Sequence, residues 1–398
     1  MKLWIKYIIA AVIGYIFGAF IPFFRERFEW LEGISEFFFL ALPWFLYPLI
    51  FFSVSSAVAF VRHQKQLKKL TGWSFLWAGL SHLLLALMGG FIAAQAAAVP
   101  VMPEFTALLP SFDPVESLRE TLLLNRLPFW LVIVSGVILG LALKPEDSRY
   151  IQGYHTMNSF SEVFFRISRC VSEIITLGII AFAALLVRQQ EGISLLSQNY
   201  VLLFLTVLSS VIGMVLLLPL VAMLLCTRKH PYRWFLSLLA PVIASGISGS
   251  YQLGMLPLYG HSRTNVGAAR SVTSVTTPFF AVFGRGGTAM VTTISAVTII
   301  SSQQGGSITP TQVTAAAGFS IFASLLAFLT PEMELPFSLF LVLLILGISP
   351  GAVIGVSIAS ILLKGAAASL DIMVNGMGTG YTAQKLDAEY PASWNDMQ

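Results

Sequence analysis

The chain has 398 residues, of which 56% are hydrophobic and only 11% charged, with a mean hydropathy of +0.81 and a formal net charge of +4. Soluble domains carry about 25% charged residues, so this composition excludes a soluble globular protein and points to a chain that crosses a membrane many times. The basic residues sit in short segments between apolar runs, and they call for no nucleic-acid partner.

Taken in order, the chain opens with Lys2, Lys6 and an apolar run that resembles a secretory leader. It lacks an Ala-x-Ala-like cleavage site and its apolar part is long, so it is expected to be a first transmembrane helix. A run of about 20 apolar residues crosses a hydrocarbon core of ~30 Å. Such runs fall at 3–22, 36–61, 70–99, 126–144, 155–187 and 197–226, with a proline-containing outer loop at Pro100–Pro114. In the fifth run, Glu162, Arg166, Arg169 and Glu173 are spaced for two i,i+4 pairs of opposite charge. Cys170 and Cys226 are isolated in apolar surroundings and read as small buried hydrophobes. No cysteine or histidine spacing suggests a metal site. No Walker loop, G-x-S-x-G or H-E-x-x-H is present, so neither an enzyme nor a cofactor is expected.

Beyond residue 230 the pattern changes. Trp234–Leu258 is two short apolar arms around S-G-I-S-G-S-Y-Q-L-G-M-L-P. Thr264–Ile300 is long and broken near Gly284–Gly287, Val313–Leu346 is interrupted at 330–336, and Val353–Lys385 reads as broken after Asn375. Loop charge sets orientation. The basic clusters fall on one side of the membrane if the N-terminus is cytoplasmic and Trp234–Leu258 dips in and returns, as arms too short to span would do. Val313–Leu346 is then a second hairpin, entering from outside. The expected fold is an all-α polytopic membrane protein of eight transmembrane helices plus two re-entrant helical hairpins, arranged as inverted repeats. This layout points to a secondary transporter with its site near the midplane. Both termini are expected in the cytoplasm, in a plasma (inner) membrane.

Two stretches carry charge into apolar segments: Phe279–Met290, which reads F-F-A-V-F-G-R-G-G-T-A-M, and Asp371–Thr379, which reads D-I-M-V-N-G-M-G-T. Charges at that depth are costly and mark function by default. Arg285 is read as a built-in cation, a clamp for a substrate carboxylate, or the partner of Asp371. Asp371 is read as a ligand for a substrate amine or cation, a proton carrier, or a partner of Arg285 or Lys364. Asn375 bonds between helices or binds a ligand. Ser248, Ser250 and Gln252 of the first hairpin tip contact substrate or cap their own backbone. Glu332 and Glu334 act as a gate or are exposed loop charges. His82 is a packed histidine or a proton-coupling group.

These motifs resemble the dicarboxylate/amino acid:cation symporter family, the glutamate-transporter fold, over nearly the whole chain. The order of six spans, hairpin, seventh helix, hairpin and eighth helix is the same. The family's serine-rich tip ending in G-T-L-P is similar to Ser250–Pro257, which includes Gly254. Its N-M-D-G-T is similar to Gly284-Arg-Gly-Gly-Thr288, and its R-T-M-V-N followed by G-D is similar to Asp371–Asn375 followed by Gly378-Thr379. The resemblance implies a substrate site at the tip residues with Arg285, Thr288, Asp371 and Asn375. It implies sodium sites whose remnants are Gly284, Gly286, Asn375, Thr379, Ser81 and His82. Where the family has sodium-binding acids this chain has none, and its substrate-carboxylate arginine corresponds to Asp371. A site so changed should repel an acidic side chain.

The resemblance also implies a division of labour. Segments 1–69 and 100–190 form an outer scaffold, 70–99 and 191–385 form a moving core, and 386–398 is a cytoplasmic tail. A small-molecule substrate, the lipid bilayer and two further copies of the chain in a homotrimer are the implied partners. Sodium or proton coupling stays open, as does a non-transporting binding or sensing protein on the same fold.

Overall fold

The computed structural model describes residues 2–20, 29–96, 129–189, 200–226, 231–330, 333–348 and 360–390. The expected loop at Pro100–Pro114 and the gate residue Glu332 lie outside the described residues. Every regular element described is a helix, and a single backbone bridge joins Ala268 to Glu389. This follows from the composition, because a chain in hydrocarbon must satisfy its backbone groups within each segment.

The first five described helices are α1 (Leu3–Phe20), α2 (Glu29–His63), α3 (Leu67–Ala96), α4 (Phe129–Ala142) and α5 (Ile151–Gln189). The sixth span is α6 (Tyr200–Ile212), a π-turn over Gly213–Leu217, and α7 (Leu218–Leu225). After α8 (Pro231–Ser237) come the arms of the first hairpin, α9 (Leu239–Ser248) and α10 (Tyr251–Thr264). The interrupted helix is α11 (Arg270–Phe283) and α12 (Gly286–Gln303). The arms of the second hairpin are α13 (Pro310–Leu326), which ends in a 3-10 turn over Ala327–Leu329, and α14 (Glu334–Ile345). The last helix is α15 (Ser360–Lys385).

Among the described residues, five stretches are long and apolar enough to cross a membrane: Trp30–His63, Leu67–Ala96, Ile151–Val187, Leu202–Leu225 and Pro310–Leu329. Four shorter apolar helices accompany them, including Leu3–Ala19 and Phe129–Ala142. Their outward surface is apolar, with Phe17, Trp44, Phe91, Leu177 and Leu224 all exposed. In water such a surface would aggregate. In lipid it is the solvent contact.

Packing sorts the helices. α2 lies against α4 and α5, and α1 against α5. α12 lies against α3, α13, α14 and α15, while α15 also receives α9, α10 and α11. Contacts of α11 with α2, of α1 with α9, and of α5 with α9 and α10 join the two groups.

Several expectations are corrected. The last helix is not broken after Asn375: α15 runs unbroken to Lys385. The glycines there admit neighbours instead. A Cβ at Gly376 would overlap Leu238, and one at Gly378 would overlap the Trp77 ring. Cys170 is exposed, and only Cys226 is buried. The acids of α5 also reach other helices: Glu162 pairs with Arg270 at 2.9 Å and Glu173 with Lys6 at 2.5 Å. The first hairpin's second arm continues past Leu258 to Thr264, so the seventh helix starts later, at Arg270.

Candidate functional site

α12 starts at Gly286, inside the packed core, and its first N–H groups have no preceding turn to accept them. Asp371 accepts them. Its Oδ1 receives the N–H of Gly287 at 2.7 Å and of Thr288 at 3.1 Å, and its Oδ2 receives the Thr288 hydroxyl at 2.6 Å. Asp371 is 0% exposed. A carboxylate at a helix N-terminus also meets the positive end of the helix dipole. The close approach depends on Gly287, where a Cβ would overlap Leu370 and the Ala367 carbonyl of α15.

Arg285 occupies the break itself and is 3% exposed. Its Nε donates to the Ala281 carbonyl at 2.9 Å. One terminal nitrogen is 3.8 Å from Asp371 Oδ2 and the other 3.5 Å from Glu334 Oε1. The guanidinium carbon sits 4.0 Å from the centroid of the Tyr251 ring, a cation–π contact. A guanidinium cannot shed its proton, so burial at this depth requires these partners. The space left between Arg285, Asp371, Glu334, Lys364, Tyr251 and Ala368 is a void of about 10 Å³. A single water needs about that much, so the site is closed and filled by its own side chains.

On the Asn375 side of Tyr251 the polar groups are neutral. Asn375 Nδ2 donates to the Tyr251 hydroxyl at 2.5 Å and to the Thr277 carbonyl at 2.9 Å. The Thr379 hydroxyl is 3.4 Å from Asn375 Oδ1 and 3.0 Å from the Thr276 hydroxyl. Asp371, Asn375 and Thr379 are four residues apart and share one face of α15.

The structure therefore brings together Arg285, Thr288, Asp371 and Glu334, and beside them Asn375 and Thr379. The first hairpin's serines serve their own backbone. Ser248 donates to Ala244 O at 2.7 Å and accepts the Ser250 N–H at 3.2 Å, and Ser250 caps α10 by accepting the Leu253 N–H at 3.4 Å. Gln252 is buried behind the tip and does not line the void. Gly254 is a packing position, where a Cβ would sit 2.7 Å from that of Ser245. Gly284 ends α11, and Gly286 opens α12 next to Ser81. Ser81 and His82 both bond to the Ala78 carbonyl of their own helix, and His82 Nε2 has no partner among the described residues. Sequence reasoning missed Tyr251 and placed Lys364 only as a partner for Asp371. Tyr251 lies within the tip motif already singled out, and its aromatic face was the available signal.

A helix interrupted by charge, two hairpins and a polar stripe on the last helix, all inside an apolar bundle, make the core of a secondary transporter. The family model for the sodium:dicarboxylate symporters matches residues 3–384. The chain belongs to the sodium:dicarboxylate symporter family: it is an integral membrane transporter for a small-molecule substrate, and not an enzyme. No curated protein matches it.

Proposed function

We propose that the chain carries a small organic solute, an amino acid or a dicarboxylate, by alternating access, with Arg285 standing in for the coupling cation. The observation that supports this is the guanidinium fixed at the break between α11 and α12, paired to Asp371 and Glu334. The positions corresponding to the family's sodium ligands hold Gly284, Gly286 and Thr379, none of them anionic. On this reading transport is independent of sodium. α1, α2, α4 and α5 form the scaffold and the remaining described helices move, in a homotrimer of the inner membrane with cytoplasmic termini.

Solute entry requires one carboxylate to leave Arg285. Asp371 is held by three hydrogen bonds and is wholly buried, whereas the Glu334 side chain has one ion pair at 3.5 Å and is 15% exposed. Glu334 is the one that moves, which makes it the gate. The open site then presents Arg285 and Lys364 to the solute, with Asp371 turned onto the first turn of α12. That favours a carboxylate group, against the repulsion expected from the sequence.

A second reading is a protein that binds or senses without transport, which the missing sodium ligands at Gly284, Gly286 and Thr379 also fit. Thermal unfolding of the purified protein with amino acids, dicarboxylates and amines, each in sodium or potassium, tests the first reading. Flux into proteoliposomes of any solute found separates the two. A ligand at a hundredfold excess over its Kd adds ~2.7 kcal/mol. Stabilisation that is equal in both salts and accompanied by flux is the expected result. A sodium requirement would overturn the role of Arg285, and binding without flux would establish the sensor.

A further inference from the structure

α5 carries Glu162, Arg166, Arg169 and Glu173 in one stretch, and both acids there reach cations on other helices. Glu162 reaches Arg270 at 2.9 Å and Arg263 at 4.0 Å, and Glu173 reaches Lys6 at 2.5 Å. Lys2 and Arg166 meet no acid among the described residues. They face, together with Arg169, a cavity of about 760 Å³ between the start of α1, the middle of α5 and α10. Arg166 and Arg169 are exposed. Glu173 is the one acid on its wall, and Lys6 holds it.

The wall made by α10 differs: Leu256, Pro257 and Gly260 give it an apolar stretch, with Leu3 beside it, and His261 and Thr264 continue it with polar groups. One side of the cavity therefore asks for an anion and the other for hydrocarbon. A free phosphate satisfies only the first and would leave most of the volume empty. A phospholipid satisfies both, with its phosphate on the cations and its glycerol and upper acyl chain along α10. If α1 enters the bilayer near Leu3, where its apolar run begins, the cavity lies at headgroup depth, and basic pockets between helices at that depth collect acidic headgroups.

We propose that this cavity binds a phosphate-bearing anion, the phosphodiester headgroup of an acidic phospholipid. The lipid bridges α1 and α5 to α10, so it fastens the first hairpin's second arm to the neighbouring group of helices. The site is separate from the Arg285 centre and does not depend on what that centre transports.

The test is native mass spectrometry and thermal unfolding of the full-length protein in detergent. Phosphatidylglycerol, phosphatidylcholine with the same chains, and inorganic phosphate are titrated separately. Phosphatidylglycerol is expected to give a saturable adduct and to raise the unfolding temperature, while phosphatidylcholine does neither. A Lys2→Gln/Arg166→Gln variant should bind phosphatidylglycerol more weakly by roughly fivefold for each charge removed. Arg166→Lys should keep most of the affinity, which separates lost charge from a damaged fold. Arg149→Gln, an exposed loop arginine outside the cavity, controls for general surface charge. Equal binding of the two lipids, or an unchanged affinity in the double variant, would overturn the proposal. A shift from inorganic phosphate alone, abolished in the double variant, would keep the anion site and overturn the lipid as its occupant.

Discussion

At the first hairpin the turn is closed by its own chain. Gly249 takes a left-handed φ of +66°, Ser248 bonds on either side of it, and Ser250 caps the arm that follows. At the second hairpin Glu334, in the first turn of α14, reaches out of its own element to Arg285 at 3.5 Å. The first tip can let go only by unwinding a turn, whereas the second lets go when one carboxylate changes partner. The two hairpins thus differ in what fastens their tips. The site is expected to open at the cheaper fastening.

Three substitutions would break or sharpen this contrast. Asp371→Asn has the largest expected effect. It leaves Arg285 with Glu334 alone, and breaking a buried pair costs about 3–5 kcal/mol. Denaturant unfolding should show that loss, and uptake should vanish or change its preferred solute. Wild-type stability and uptake together would remove Asp371 from the site. Gly249→Ala comes next. A Cβ in the left-handed region costs roughly 1–2 kcal/mol, so unfolding should shift while KM for uptake does not. A raised KM would mean the first tip also moves during entry. Glu334→Gln should cost less in stability than Asp371→Asn, because Glu334 makes one pair at 3.5 Å and Arg285 keeps Asp371, and should change access most. With Cys170 and Cys226 replaced by serine, a cysteine substituted at Ala368 beside the void should react faster with a membrane-impermeant thiol reagent when Glu334 is neutralised. Equal labelling rates would leave Glu334 a bystander.

The helices were legible because twenty-residue apolar runs have few other uses, and the break at Gly284–Arg285 because charge and glycine coincide there. Asn375 and Thr288 were legible through their motifs. The continuity of α15 was not. Gly376, Gly378 and Gly380 lower helix propensity, yet Leu238, Trp77 and Trp234 fill the space they leave, and packing outweighs propensity. Distance in sequence hid the rest. Glu162 has an arginine four residues on, but its ion pairs are with Arg263 and Arg270, about a hundred residues away. Ser248 and Ser250 looked equally able to bind a ligand or to cap, and only the backbone geometry shows that they cap.

The buried guanidinium of Arg285 bears on the energetics of the whole cycle. A sodium ion enters from one side and departs on the other, and its fall in concentration does work on the solute that travels with it. A cation fixed to the chain makes no such passage, because it comes back with every empty carrier. On the reading proposed above, the protein draws nothing from a salt gradient. With no proton carried either, it would bring an uncharged solute to equal concentrations across the membrane, and solute loaded on one side would hasten the exit of labelled solute from the other.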